Sequence, residues 1–110
     1  MFEDEPQGKG AQVKERPPKR IKFKAKPPKH FKVIYHNDDY TPMEFVAWTI
    51  VEIFNKSEVE ANSLTFQVHK EGKAIVGIYD FQTAETKISD VLELAKEHEF
   101  PLNVTGEPVE

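Results

Sequence analysis

Cysteine is absent from the 110-residue chain. That excludes disulfides, thiolate metal sites and cysteine nucleophiles together, and it suits a reducing compartment. No apolar run approaches the ~20 residues that cross a bilayer. The opening MFEDEPQGKG has neither the basic nor the apolar segment of a secretory signal. A soluble, cytoplasmic protein of one domain is expected from this composition and length. Basic residues become scarce after position 32: ten Lys/Arg stand against four Asp/Glu through Lys32, and five against fifteen from Val33 onward. The formal net charge of -4 therefore hides a basic arm joined to an acidic domain.

The arm, residues 1–30, carries Pro6, Pro17, Pro18, Pro27 and Pro28 among lysines and arginines, with no sustained period of 3.6 or 2.0. Such a segment buries too little apolar surface to offset its ordering entropy. It is expected to be a flexible, disordered, partly polyproline-like extension of a folded domain at 31–110. Its lysines, with Phe23 and Phe31 among them, offer non-specific phosphate contacts by counterion release. A small nucleic-acid-binding protein is thus the alternative reading, opposed by the negative charge of the domain.

Along the domain, FKVIY (31–35) reads as a strand. Thr41 as N-cap, Pro42 at the first helical position and Glu44 as the third member of a capping box start a helix, on which Met43, Val46, Ile50, Ile53 and Phe54 share a face. Ser57 with Glu60 makes a second capping box, and Gly72 offers a stop. The segment between them fits either a strand, through Leu64, Phe66 and Val68, or a helix, through Ala61, Leu64, Thr65 and Val68; the end signals favour the helix. KAIVGIYD (73–80) reads as a buried strand, with Asp80 as the next cap. Phe81, Ala84, Ile88, Val91, Leu92 and Ala95 then form an apolar helical stripe ended by Pro101. LNVT (102–105) reads as a last short strand. The expected order is β-α-α-β-α-β, an α+β domain without repeats.

The densest polar chemistry, HNDDYTPMEF (36–45), lies at the first strand-to-helix joint. His36, Asp38, Asp39 and His69 are possible metal ligands, but no HExxH pair or calcium-loop spacing is present, so no metal or other cofactor is expected. Ser57, Ser63 and Ser89 lack a nucleophile elbow, and consecutive carboxylates do not face each other across a substrate. An enzyme is not expected. A peptide-binding site remains: an ammonium has three N–H donors and wants about three acceptors, and Asn37, Asp38 or Asp39, and His69 have that chemistry. Taken alone, His69 equally fits an ordinary surface histidine near a helix end.

NDDYTPMEFV, VHKEGKAIVGIY, TAETK and FPLNV, in this order and spacing over about residues 31–107, resemble the ClpS family, adaptors that deliver N-degron substrates to a Clp AAA+ unfoldase and its peptidase. The resemblance implies a three-stranded antiparallel sheet packed with three helices, and it favours the helix for the ambiguous segment. It implies that Asn37, Asp39 and His69 hold a substrate's α-amino group, with Asp38 adding negative potential. It implies a pocket for an N-terminal Leu, Phe, Tyr or Trp side chain walled by Thr41, Met43, Val46, Val68 and Leu102. Thr65 stands where the family usually has Met, which predicts a roomier or less apolar pocket. It further implies docking on the N-domain of a ClpA-like or ClpC-like unfoldase through Gln82, Glu85 and Lys87, with Gln82 where a Glu is common. A monomer is expected.

Overall fold

The computed structural model describes residues 29–109, so all but the last two residues of the expected extension lie outside the described part. Within it the order is β1 (His30–His36), α1 (Met43–Phe54), α2 (Glu58–Glu71), β2 (Lys73–Asp80), α3 (Phe81–Glu97) and β3 (Asn103–Val109). The strands form one antiparallel sheet ordered β2-β1-β3. This is the expected β-α-α-β-α-β arrangement, and residues 58–71 are helical. Ser57 Oγ accepts from the Glu60 amide at 3.1 Å and Gly72 closes α2 at φ 91°, as the two end signals required.

β1 is the central strand, and its Val33, Ile34 and Tyr35 are all buried. Val33 and Tyr35 join Ala74, Val76 and Val104 of the neighbouring strands in one core. Val46, Ile50 and Phe54 of α1, Ala61 and Val68 of α2, and Ala84, Val91 and Ala95 of α3 complete it. The valine, isoleucine and phenylalanine side chains among them contribute about 1.5–3 kcal/mol each when fully buried, and together they hold the three helices on one face of the sheet.

β2 departs from the buried strand expected of it. Val33 pairs with Gly77 but Ile34 pairs with Ile75, so the register shifts by one residue at Val76. An extra residue inverts which side chains face the helices: Ala74 and Val76 point into the core before the shift, and Tyr79 packs on Phe54 after it, at 6.0 Å between ring centroids. Ile75 and Ile78 are consequently exposed. β3 is longer than the four residues expected, running through Gly106 and Pro108. Proline is tolerated there because β3 is an edge strand.

The joint between β1 and α1 is also built differently from the expected capping box. Pro42, not Thr41, is the N-cap, and no side chain caps the helix. Thr41 is drawn back instead: its hydroxyl donates to Asp38 Oδ2 at 2.7 Å, while Asp38 Oδ1 accepts the Tyr40 and Thr41 amides, both at 2.8 Å. Burial raises the Asp38 pKa, but the Thr41 and Tyr40 hydrogen bonds outweigh it and hold the carboxyl below its ordinary value. One residue earlier, the Asn37 amide donates to the Gly72 carbonyl at 2.9 Å, tying this turn to the end of α2.

Behind the joint, the Tyr35 hydroxyl lies 2.8 Å from Thr49 Oγ1, which itself donates to the Val46 carbonyl at 2.7 Å. With the threonine proton used on the carbonyl, Tyr35 is the donor to Thr49. Both residues are completely buried, and burial, opposed in part by the Thr49 bond, pushes the Tyr35 phenol well above its usual range.

Two outcomes follow from these buried and half-buried bonds. Thr49→Val strands the Tyr35 hydroxyl in the core and is expected to cost about 1–3 kcal/mol of unfolding free energy in denaturant titrations. Adding Tyr35→Phe to Thr49→Val recovers part of that loss, because the orphaned donor is then removed. Asp38→Ala deletes the acceptor of three hydrogen bonds and is expected to cost about 1–2 kcal/mol at neutral pH. The native carboxyl is held low, so its contribution is complete above the unfolded aspartate value of about 3.9 and is lost as pH falls through the folded value. The Tm difference between native protein and Asp38→Ala should therefore shrink as pH is lowered through that range.

Candidate functional site

The same joint opens onto a small cavity of about 10 Å³. Asn37, Asp38 and Thr41 reach it from the β1–α1 turn, and Met43 and Val46 from the first turn of α1. Thr65, Val68 and His69 reach it from α2, and Leu102 from the segment before β3. Residues 65, 68 and 69 fall on one helical face at i, i+3 and i+4, so a single stretch of α2 supplies both an apolar wall and an imidazole. The Asn37 to Gly72 backbone bond fixes the distance between the asparagine turn and the last turn of α2, where His69 sits.

Nine of the ten residues assigned to the α-amino site or side-chain pocket line this one cavity. Asp39 does not; it is exposed in the bend next to it. Asp38 lines the cavity, but three local donors already occupy its oxygens. Its charge reaches the site as potential, and its lone pairs shape the turn. Asn37 and His69 are exposed at the polar end, whereas Val46, Thr65, Val68 and Leu102 are buried. Met43 is 43% exposed, despite its place on the apolar stripe of α1, because it stands at the cavity and not in the core. The cavity thus joins a hydrogen-bonding rim to an apolar floor.

Thr65 spends its hydroxyl inside α2, donating to the Ala61 carbonyl at 2.8 Å. A ligand need not satisfy it, so the position is less polar than the residue type implies, although it remains shorter than a methionine. Leu102 is positioned by a turn that reads poorly in sequence: Glu99 adopts φ 60°, the Phe100 amide donates to the Ala95 carbonyl at 2.8 Å, and the Phe100 ring packs edge-on against Phe45 at 4.9 Å.

His36 is the cavity residue that sequence reasoning did not assign to this site. Its Nε2 lies 2.8 Å from Thr105 Oγ1 of β3, a bond across 69 residues that no local pattern announces. The only available signal was its place beside Asn37 at the end of β1.

The three residues assigned to docking divide between two flanks of α3. Gln82 and Lys87 border a depression of about 590 Å³ together with Glu52, Ile53 and Asp90. Glu85 faces a separate groove. The Lys87 ammonium donates to the Ile53 carbonyl at 2.7 Å and lies over the rings of Phe54, at 5.6 Å, and Tyr79, at 5.5 Å. It holds the C-terminal end of α1, where a cation is favoured by the unpaired carbonyls. No helix among the described residues is long and apolar enough to cross a membrane.

The sequence and the fold have counterparts among known proteins. Residues 26–105 match the family model described as ATP-dependent Clp protease adaptor protein ClpS. The ATP-dependent Clp protease adapter protein ClpS of Clostridium acetobutylicum is 48% identical over 84 residues, covering 76% of this chain and 83% of that protein. The protein of the same description from Rhodospirillum centenum is 39% identical over 104 residues, 94% of this chain and 91% of that one. The structure of Agrobacterium tumefaciens ClpS2 bound to L-phenylalaninamide superposes with a TM-score of 0.72 at 40% identity, over 76% of this chain and all of the other. By sequence match, fold and identity to relatives across most of its length, the chain belongs to the ClpS family of Clp protease adaptor proteins.

Proposed function

We propose that the protein is a non-enzymatic, monomeric, cytoplasmic adaptor that captures substrates by a free N-terminal Leu, Phe, Tyr or Trp and delivers them to a Clp AAA+ unfoldase for degradation. The observation that carries this reading is the lining of one cavity by Asn37 and His69 at its polar end and by Met43, Val46, Thr65, Val68 and Leu102 along its apolar part. Asn37 Oδ1 and a His69 ring nitrogen accept from the substrate ammonium at the rim, the Asp39 carboxylate reaches it from the exposed bend beside the cavity, and Asp38 adds potential. The first side chain enters between α1 and α2. A bound phenylalanine derivative in the Agrobacterium tumefaciens relative is consistent with an occupant of this chemistry.

Selectivity arises because neither half suffices. Burying ~100–150 Å² of apolar side chain is worth about 2.5–4 kcal/mol before immobilisation costs. Desolvating an ammonium without partners cancels a gain of that size. An internal residue lacks the ammonium and a polar first residue lacks the burial. Docking on the unfoldase N-domain is assigned to Gln82, Glu85 and Lys87. Since the Lys87 amine is engaged at the end of α1, its part there is to hold the helix–helix contact that a partner meets. The N-terminal extension assists hand-over.

Blocking the ammonium is the direct test. A Phe-initiated peptide should bind, and N-terminal acetylation should weaken it by about 100-fold or more, near 3 kcal/mol, as should His69→Ala together with Asn37→Ala. Equal binding of the acetylated peptide overturns the reading. A nucleic-acid binder would instead ignore both peptides and lose oligonucleotide affinity steeply with salt.

The Thr65 position sets the second outcome. Lengthening it by Thr65→Met fills the pocket and should lower the affinity for a Trp-initiated peptide relative to a Leu-initiated one by on the order of 5- to 10-fold. An unchanged ranking of first residues would remove Thr65 from the specificity determinants.

A further inference from the structure

The apolar stripe of α3 is wider than the core needs. Ala84, Val91 and Ala95 are buried, but Phe81 is 54% and Leu92 37% exposed. With Phe31 and Ile88 they floor a groove of about 650 Å³ between α3 and the edge strand β3, on the flank of α3 away from the Gln82–Lys87 depression. Gly106 permits the groove to form where it does: a Cβ there would meet Ile88 Cδ1 at 3.1 Å, so helix and strand approach closely along its base. Phe31 and Phe81 pack edge-on at one end, 5.3 Å between centroids. The charged residues lining the groove are two carboxylates, Glu85 and Glu93, against one ammonium, Lys96.

The chain enters the described domain at that same end. His30 pairs with Asp80, the residue that caps α3, and Phe31 with Tyr79. Immediately upstream lies RIKFKAKPP, residues 20–28. Here Ile21, Phe23 and Ala25 alternate with Arg20, Lys22, Lys24 and Lys26, so an extended conformation turns its apolar residues to one side and its cations to the other. Seven extended residues, 20–26, span about 23–25 Å. The α3 wall from Phe81 to Lys96 is about 22 Å long. Pro27 and Pro28 precede a bend at Lys29, where the chain must reverse for the upstream segment to run back along α3, and proline favours such turns.

We propose that residues 20–28 of the same chain dock in this groove, with Ile21, Phe23 and Ala25 against Phe81, Ile88 and Leu92 and the lysines on the solvent side, where the net negative lining of Glu85, Glu93 and Lys96 favours their charge. Length, point of entry, alternation and charge sign all match this occupant. The docked segment covers Glu85, so the arm and a partner that uses Glu85 compete for one carboxylate. That consequence rests on the docking assignment above, whereas the placement of the arm does not.

The cysteine-free sequence makes the test direct. In the full-length protein, Lys24→Cys carries a nitroxide on the outward face of the segment. Methyl resonances of Ile88 and Leu92 are expected to lose most of their intensity, independently of protein concentration, while those of Ile75 on the opposite face of the sheet are spared. Phe23→Asp in the labelled chain should restore the Ile88 and Leu92 signals, as should Leu92→Asp for Ile88. Equal broadening at Ile75 and Ile88, or no effect of Phe23→Asp, overturns the proposal. Broadening that grows with concentration also overturns it, by assigning the groove to the arm of a second copy. None of these readouts depends on peptide or unfoldase binding, so failure of the adaptor reading would leave them unchanged.

Discussion

Asp38 accepts three hydrogen bonds from Tyr40 and Thr41, the residues two and three positions after it, and the geometry of the candidate site depends on that clamp. The turn is short, polar and half-exposed, and without an internal acceptor its amides would be free to point to water in many conformations. A carboxylate gathering the Tyr40 amide, the Thr41 amide and the Thr41 hydroxyl selects one of them. The selected turn delivers Asn37 to the rim of the cavity and starts α1 at Met43, so that Met43 and Val46 become its wall. The same residue that adds negative potential to the rim is thus the one that builds it.

The clamp alone would leave the turn swinging about the end of β1. The Asn37 amide removes that freedom by donating to Gly72, whose carbonyl is available because the helix has just ended in a left-handed residue. A helix terminus and a strand terminus therefore satisfy each other's backbone groups, and His69 and Asn37 are neighbours as a result. On the far side, the buried Tyr35–Thr49–Val46 chain fixes α1 against β1 by a bond that no apolar slide can preserve. Fully satisfied polar groups in a core specify one arrangement where apolar contacts allow several.

Much of this was legible in the sequence, and the exceptions have local causes. Helix ends marked by Ser57, Gly72 and Asp80 appear as read, because in each case the capping group has no competitor nearby. Thr41 carries an equally good capping pattern, with Pro42 next and Glu44 three residues on, yet it fails as an N-cap because Asp38 offers its hydroxyl a charged acceptor. The β2 pattern reads as one buried strand because a bulge at Val76 switches its phase, and a switched alternation looks like a continuous apolar run. β3 is truncated in the reading by Gly106 and Pro108, residues that an edge strand accepts. The cavity residues from Asn37 to Leu102 were accessible through family resemblance and not through periodicity. His36 escaped because its partner, Thr105, is fixed only by sheet register.

The placement of Lys87 adds a last constraint. α1 is twelve residues long, about 18 Å; its first turn lines the cavity, while its last turn gives the Ile53 carbonyl to the Lys87 ammonium. The depression bordered by Gln82 and Lys87 includes Glu52 and Ile53 of that same last turn. On the proposed function, capture of a chain end and contact with a larger partner take place at opposite ends of one helix, about 18 Å long, so that neither occupant need displace the other. An adaptor must hold its cargo and its recipient together, and a helix with one candidate site at each end satisfies that requirement.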